Sequence, residues 1–511
     1  MILSKQHFGS ISLRSGDTAL AEHLFTLPEK VLQFGTGVLL RGLPDYFIDK
    51  ANKQGIFNGR ILVIKSTETG GVDGFEKQDG LYTICVRGIE GERKTEENII
   101  NASISRVLSA KTQWDQVLRS AVNPEMQVVI SNTTEVGITL TNDDIFASPP
   151  QSFPGKLLAF LYRRYQVFNG ADDRGMVIIP TELIIDNGNK LKSILLELSA
   201  QHKLEDSFVE WLSHRNFFCN SLVDRIVPGK LSREQHEIVE KQLGYQDELM
   251  IMSEVYRLWA IETKEPKVAD IISFSQADPG IVIAEDINVF RELKLRLLNG
   301  SHTFSCGLAH LCGFITVKEA MDNKFFLAYI TALMEREIST ALISSEITAA
   351  MARDFSDKVL DRYRNPHIEH QWLSISTQYC SKMQMRNIPV ILKYYQQFGI
   401  TPELMTLGFA AFLLFMKAER LSDGRFQGFS NEQTYIINDD KVWMIADKWN
   451  RLDLETFVHE VLADKALWDL DLSELPGFGK TVTTMIRSLQ NEGALATLRK
   501  ISYQEKAEHI S

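Results

Sequence analysis

The sequence predicts an α/β half, residues 1–287, followed by a mainly α-helical half, residues 288–511. Three observations carry that division. The apolar run Val31–Phe34 passes into Gly35-Thr36-Gly37 and then into an amphipathic segment, giving a strand, a glycine turn and a helix in succession. Short β-branched runs then recur as far as GIVIAEDI at 280–287, several of them closing in polar turns. Beyond it the apolar positions switch to helical spacing. FFLAYITALMEREISTALI, TAAMARDFSDKVLDRYRN, SISTQYCSKMQMRNIPVILKYYQQF and ETFVHEVLADKALWDL read as successive helices, with glycine sparse and strand alternation absent. Strands and helices in the order of the first half build a Rossmann-like dinucleotide-binding sheet.

Composition narrows the function. At 511 residues the chain exceeds what one core supports, so two domains are expected, and 44% hydrophobic with 24% charged residues is ordinary for a soluble protein. A net charge of −11 gives no electrostatic reason to bind nucleic acid or an anionic membrane. The expected partner is a small molecule, and an anionic one needs a local basic pocket. The segment MILSKQHFGSISLRSGDTAL lacks an apolar signal core, and FAAFLLFM at 409–416 is too short to span a membrane and reads as a buried helix. Cys85, Cys219, Cys306, Cys312 and Cys380 are scattered and never form C-x-x-C, which fits a reducing cytoplasm better than disulfides or zinc. No other cluster has metal-ligand spacing, so no metal is expected. Oligomeric state stays open.

Taken in order, residues 1–30 read as a peripheral lead-in with Pro28 before the first strand. At Gly35-Thr36-Gly37 glycines would let the backbone approach a pyrophosphate, and the following helix start would offer free N–H groups. The third glycine of a regular G-x-G-x-x-G falls at Leu40, and Gly42 comes two residues late, so a tight structural turn is the competing reading. Arg60–Lys65 is the next strand, about 30 residues on, as a βαβ unit requires. Where an acidic residue would grip the adenosine ribose stands Lys65, with Glu68 three residues later. Lys65 would accept a 2′-phosphate or point to solvent, which leaves NAD and NADP both open. The strands within 126–138 and 175–189 end in Ser131-Asn132-Thr133-Thr134-Glu135 and Pro180-Thr181-Glu182, at the carboxyl ends where parallel sheets bind ligands. Asn132 and Thr133 are candidate contacts, with ordinary turn chemistry as the alternative; Glu182 is a weaker candidate. GIVIAEDI is the last strand.

The segment ELKLRLLNGSHTFSCGLAHLCGF, residues 292–314, carries the chemistry. Lys294, Asn299 and His302 stand at K-x4-N-x2-H spacing; at 100° per residue Asn299 lies about 140° and His302 about 80° from Lys294, on one broad helix face. An ammonium, an amide and an imidazole on one face can move a proton at a carbonyl and hold the oxyanion. The competing reading is a helix with a snorkelling lysine and two satisfied polar groups.

The joint order of motifs resembles a known family. F-G-x-G-x-x-x-R at 34–41, T-E-x-G at 134–137, V-D-R-I at 223–226 and K-x4-N-G-x-H at 294–302 are similar to the polyol-specific long-chain (mannitol) dehydrogenase/reductase family across nearly the whole chain. QDGLYTICVRG, SLVDRIVPG and RYRNPHIEHQ resemble its hexuronate reductase branch, that of the tagaturonate reductases. The resemblance implies metal-independent hydride transfer between NAD(H) and a ketouronate or aldonate. It implies Lys294 as general acid and base, Asn299 on the oxyanion and His302 on a substrate hydroxyl. Phe34, Gly35, Thr36, Gly37, Val38, Leu39, Arg41, Lys65, Asn132 and Thr133 would hold the cofactor. Asp224, Arg362 and His370 would hold the substrate; Asp224 reads otherwise as the partner of Arg225, and Arg362 as a helix-end arginine.

Two departures from the mannitol-type members bear on substrate. Their second oxyanion asparagine falls at Leu183, and their glutamate three residues before the lysine falls at Arg291. Arg291 and Arg362 suit a carboxylate-bearing substrate, since guanidinium pairs with carboxylate in bidentate fashion. A fructuronate reductase, a neutral polyol dehydrogenase and a dinucleotide-sensing protein without catalysis remain the alternatives.

Overall fold

The computed structural model describes residues 1–7, 9, 11, 22–66, 72–91, 93–133 and 137–508. It divides into two compact units: Met1–Gly88 with Lys94–Ile287, and Ile89–Arg93 with Asn288–Ser511.

The first unit is built on strands β1 (Glu29–Phe34), β2 (Arg60–Lys65), β3 (Tyr82–Glu90), β4 (Arg93–Asn101), β5 (Ile104–Ser109), β6 (Val128–Ser131), β7 (Val177–Pro180) and β8 (Phe217–Phe218). Six of them form a parallel sheet in the order β5-β2-β1-β6-β7-β8. Counted along the chain without β3 and β4, that order is the 3-2-1-4-5-6 of a Rossmann sheet, with its reversal of direction between β1 and β6. Side chains alternate between two cores, as a sheet covered on both faces requires. Val31, Ile61, Val63, Val128 and Ile130 pack on one side, and Leu32, Phe34, Leu62, Ile64 and Val129 on the other. Phe34 pairs with Ile64 and with Ser131, and Ser131 with Pro180, so the carboxyl ends of β2, β1, β6 and β7 finish level.

Strands β9 (Ser221–Asp224), β10 (Ile251–Glu254), β11 (Leu258–Glu262) and β12 (Ile281–Ala284) lie outside that sheet. The run at 280–287 is therefore a strand, but of a separate three-stranded sheet ordered β12-β11-β9. The helix after the glycine turn is also shorter than its amphipathic pattern suggests. It runs Val38–Gly42, breaks at Leu43 and restarts as Pro44–Lys53, because the residue before a proline is pushed out of helical geometry.

The second unit is helical around Glu403–Phe415, whose apolar residues face inward on all sides. Ser301–Leu311 packs against it, glycine to backbone: a Cβ on Gly408 would stand 2.7 Å from the Phe304 carbonyl oxygen, and one on Gly307 would stand 2.9 Å from that of Ala411. Strand structure is nevertheless present here, against expectation. Strands β13 (Ala418–Arg420), β14 (Phe426–Ser430) and β15 (Gln433–Ile437) form an antiparallel meander. They are short and half exposed, and so carry little apolar alternation. No described helix is long and apolar enough to cross a membrane.

Candidate active site

At the carboxyl end of β1, Gly35 has φ +124°, and a Cβ there would stand 2.9 Å from Leu40 Cδ1 and 3.1 Å from the Asn132 carbonyl oxygen. Only glycine takes that conformation without strain. Leu40, at the place of a third glycine in the regular pattern, is fully buried against this turn. Thr36, Val38 and Leu39 are half-buried, Val38 and Leu39 packing on the core, and Gly37 is exposed as a helix N-cap without a side-chain partner. The Phe34 ring is buried edge-on against Phe153 at 5.1 Å, so its backbone alone borders the turn. Arg41 turns inward: its Nη1 donates to the Leu249 carbonyl at 2.7 Å and its guanidinium lies over Phe75 and Tyr82. In this position it braces the segment after the glycine turn against Leu249.

Across the strand reversal, the loop after β6 is fixed by Glu182. The Glu182 carboxylate accepts hydrogen bonds from the Thr133 backbone N–H at 2.8 Å, from Thr133 Oγ1 at 3.0 Å and from Ser131 Oγ at 3.1 Å. Burial pushes its pKa up, and these hydrogen bonds oppose the shift. Asn132 donates from Nδ2 to the carbonyl and hydroxyl oxygens of Thr181, both at 3.1 Å. Asn132 and Thr133 are thus held as turn residues at the sheet's ligand end. Lys65 closes β2 and is buried; Glu68, Thr134 and Glu135 lie outside the described residues. Asp224 is buried at the end of β9 opposite Leu258. Arg225 is spent elsewhere, donating to the carbonyls of Gly42 at 2.6 Å and Glu254 at 2.9 Å. Leu183 projects outward, 63% exposed.

In the second unit the expected single α-helix is three segments: α-helical Asn288–Leu293, π-helical Lys294–Gly300 and α-helical Ser301–Leu311. The change matters for Lys294 and Asn299. In a π-turn residue i bonds to i+5, so these two, five apart, stand one turn above the other rather than about 140° apart. Both are half-buried. Single π-turns of this kind occur frequently at functional sites.

His302, in the first turn of the next segment, sits among rings. It stacks on Tyr363 with centroids 4.1 Å apart, and His370 and Trp372 stand edge-on at 5.1 and 6.0 Å. Its buried Nε2 has no hydrogen-bond partner among the described residues. Burial first, and then the positive charge of His370, Arg362, Arg386 and Lys382, hold its pKa well below the usual imidazole range. His370 is lowered as well, by burial and by Lys382 and Arg362. The Tyr363 hydroxyl donates to the Leu298 carbonyl at 2.9 Å and meets Ser301 Oγ at 2.8 Å, tying this cage to the π-turn. Arg362 is buried in the last turn of Ala349–Tyr363. Arg291 hydrogen-bonds Asn288 Oδ1, one turn back on its own helix. Tyr363 lies within the RYRNPHIEHQ run but is not among the expected site residues, and Trp372, Lys382 and Arg386 belong to no short motif.

Residues 29–272 match the mannitol dehydrogenase Rossmann domain and residues 286–490 the mannitol dehydrogenase C-terminal domain. The chain belongs to the mannitol dehydrogenase family. Among family relatives it is 34% identical over 481 residues to the altronate oxidoreductase of Pectobacterium carotovorum subsp. carotovorum (strain PC1), covering 92% of this chain and 96% of that one. It is 35% identical over 486 residues to the altronate oxidoreductase of Bacillus subtilis (strain 168), covering 94% and 97%. The family fold is also that of Pseudomonas fluorescens mannitol 2-dehydrogenase, solved as a ternary complex with NAD and D-mannitol. That match has a TM-score of 0.64, 21% identity and coverage of 98% and 99%. A D-sorbitol dehydrogenase in substrate-free form gives a TM-score of 0.76 at 19% identity, covering 98% and 100%. Membership makes the chain an oxidoreductase acting on a CH–OH group.

Proposed function

We propose that the protein reduces the ketouronate D-tagaturonate to D-altronate, reversibly, with NADH as hydride donor and Lys294 as the proton donor. The observation that carries the reading is the full-length similarity to altronate oxidoreductases, taken together with the Lys294, Asn299 and His302 set. The glycine turn at the reversal of the parallel sheet fits a dinucleotide: Gly35 leaves room at the strand end that a Cβ would fill, and Gly37 is exposed. When bound, the nicotinamide supplies or accepts the hydride. NADH is the first choice of donor and NADPH the second.

The roles of the chain's own residues follow from chemistry. Lys294 gives its proton to the substrate carbonyl oxygen in reduction and takes it back from the alcohol in oxidation. Asn299 donates from its amide to the same oxygen as negative charge develops there. His302, kept neutral, uses its unpartnered Nε2 on a substrate hydroxyl. Arg362, Arg291 and His370 act on the rest of the substrate, with Asp224 on a distal hydroxyl. The cations around His302 favour an anionic sugar over a neutral one. General acid catalysis accounts for about 10²–10⁴-fold of the acceleration, and positioning and electrostatics for the rest.

An NADH and NADPH oxidation assay across D-tagaturonate, D-fructuronate and D-fructose, with D-mannitol run in the oxidative direction, tests the reading. Preference for D-tagaturonate with NADH is the expected result. Preference for fructuronate or for a neutral sugar would reassign the substrate, and nucleotide binding without turnover on any of them would point to a sensor.

A further inference from the structure

We infer that Arg386, on the π-helical turn Met383–Asn387, holds the carboxylate end of the sugar substrate. The inference rests on the ketouronate reading and adds to it a residue that no motif marks. This turn is pinned to the Lys294–Gly300 turn at three points. Arg296 Nη1 donates to the carbonyls of Met385 at 2.6 Å and Arg386 at 2.9 Å, and Asn387 Nδ2 donates to the Gly300 carbonyl at 3.0 Å. Two π-turns are thus bound side by side, one opening with Lys294 and the other carrying Arg386. From there the Arg386 guanidinium reaches Thr303, the residue next to His302, with Nη1 3.4 Å from the hydroxyl.

That contact is long, and the Thr303 hydroxyl already donates to the Asn299 carbonyl at 2.8 Å. Arg386 is half-buried, and among the described residues no carboxylate pairs with it. Its free donors leave room for an anion, and a planar carboxylate is the partner that the guanidinium fork matches. Lys382, one turn earlier, adds a second charge; its Nζ donates to the Ile375 carbonyl at 2.8 Å. Arg291, which sequence reasoning favoured for this task, is engaged with Asn288 on its own helix.

The test measures binding of D-altronate and of the neutral alditol D-altritol to the NADH-saturated enzyme, which cannot turn them over. Binding to wild type is compared with Arg386→Ala, Arg386→Gln and Arg386→Lys, alongside D-tagaturonate kinetics. Wild type should bind altronate more tightly than altritol. Arg386→Ala should weaken altronate by about 10- to 100-fold, the range of a charge-assisted hydrogen bond, with altritol weakened at most a few-fold. Arg386→Lys should recover part of the loss, and Arg386→Gln carries the comparison should the alanine variant fail to fold. Equal loss for both ligands, no loss for altronate, or a wild type that does not distinguish the two overturns the inference. If wild type turns over no ketouronate but binds altronate through Arg386, the reaction assignment fails and the anchor stands. If tagaturonate turnover is normal in wild type and in the variants, the anchor fails and the reaction stands.

Discussion

His302 is enclosed by Tyr363, His370 and Trp372, with its Nε2 unsatisfied among the described residues, an arrangement costly to fold unless a partner completes it. Its folded pKa lies below the unfolded value of about 6.5, so below that pH the unfolded chain binds more protons than the folded one. The stability that neutral His302 contributes is therefore present above pH 6.5 and is lost as pH falls toward the folded pKa. A His302→Asn variant lacks this titration. Its stability relative to wild type should improve as pH drops from 7 to 5, by up to about 1.4 kcal/mol per pH unit, as read by denaturant unfolding at each pH. A difference that stays constant over that range would contradict the burial argument. At this scale the sequence was partly legible. Lys294, Asn299 and His302 fall in one run of nine, and Gly35 carries the turn that its φ demands. Tyr363, Trp372 and Arg386 come from remote segments, and nothing in a helical apolar pattern tells a cage residue from a core residue.

At the scale of elements, the segment carrying Lys294 is positioned from two sides. On one, the π-turns at Lys294–Gly300 and Met383–Asn387 are braced by Arg296 and Asn387. On the other, Ser301–Leu311 lies against Glu403–Phe415 at a crossing where glycines admit the facing backbone. A Gly408→Ala methyl would stand 2.7 Å from a backbone oxygen that cannot swing away. It should cost about 1–3 kcal/mol of stability, seen as a lower melting temperature, with nucleotide binding unchanged. An unaltered melting temperature would mean that the crossing is looser than described. The existence of these helices followed from apolar period, and the turn after β1 from its glycines. The π-turn did not, because one extra residue in a turn leaves no trace in composition. The β13–β15 meander escaped for a related reason: strands of three to five half-exposed residues have no alternation to find. Leu40 shows the opposite case, a departure from the glycine pattern explained once its side chain is found packed over Gly35.

For the whole molecule, the main division of the chain falls at Ile287/Asn288, with Ile89–Arg93 joining the second unit, and on the proposed function the two units carry different tasks. The first contains the Rossmann sheet with its glycine turn and Glu182-braced loop; the second contains the lysine, amide and imidazole together with the cations near them. On the proposed function, the chemistry can be removed without removing nucleotide binding. The most direct measurement is D-tagaturonate-dependent NADH oxidation by wild type and Lys294→Ala, with NADH affinity determined on the same samples. Turnover should fall by at least about 10²-fold, the lower end of what a general acid contributes, while the NADH dissociation constant changes less than about threefold. Near-normal turnover in Lys294→Ala would contradict the account.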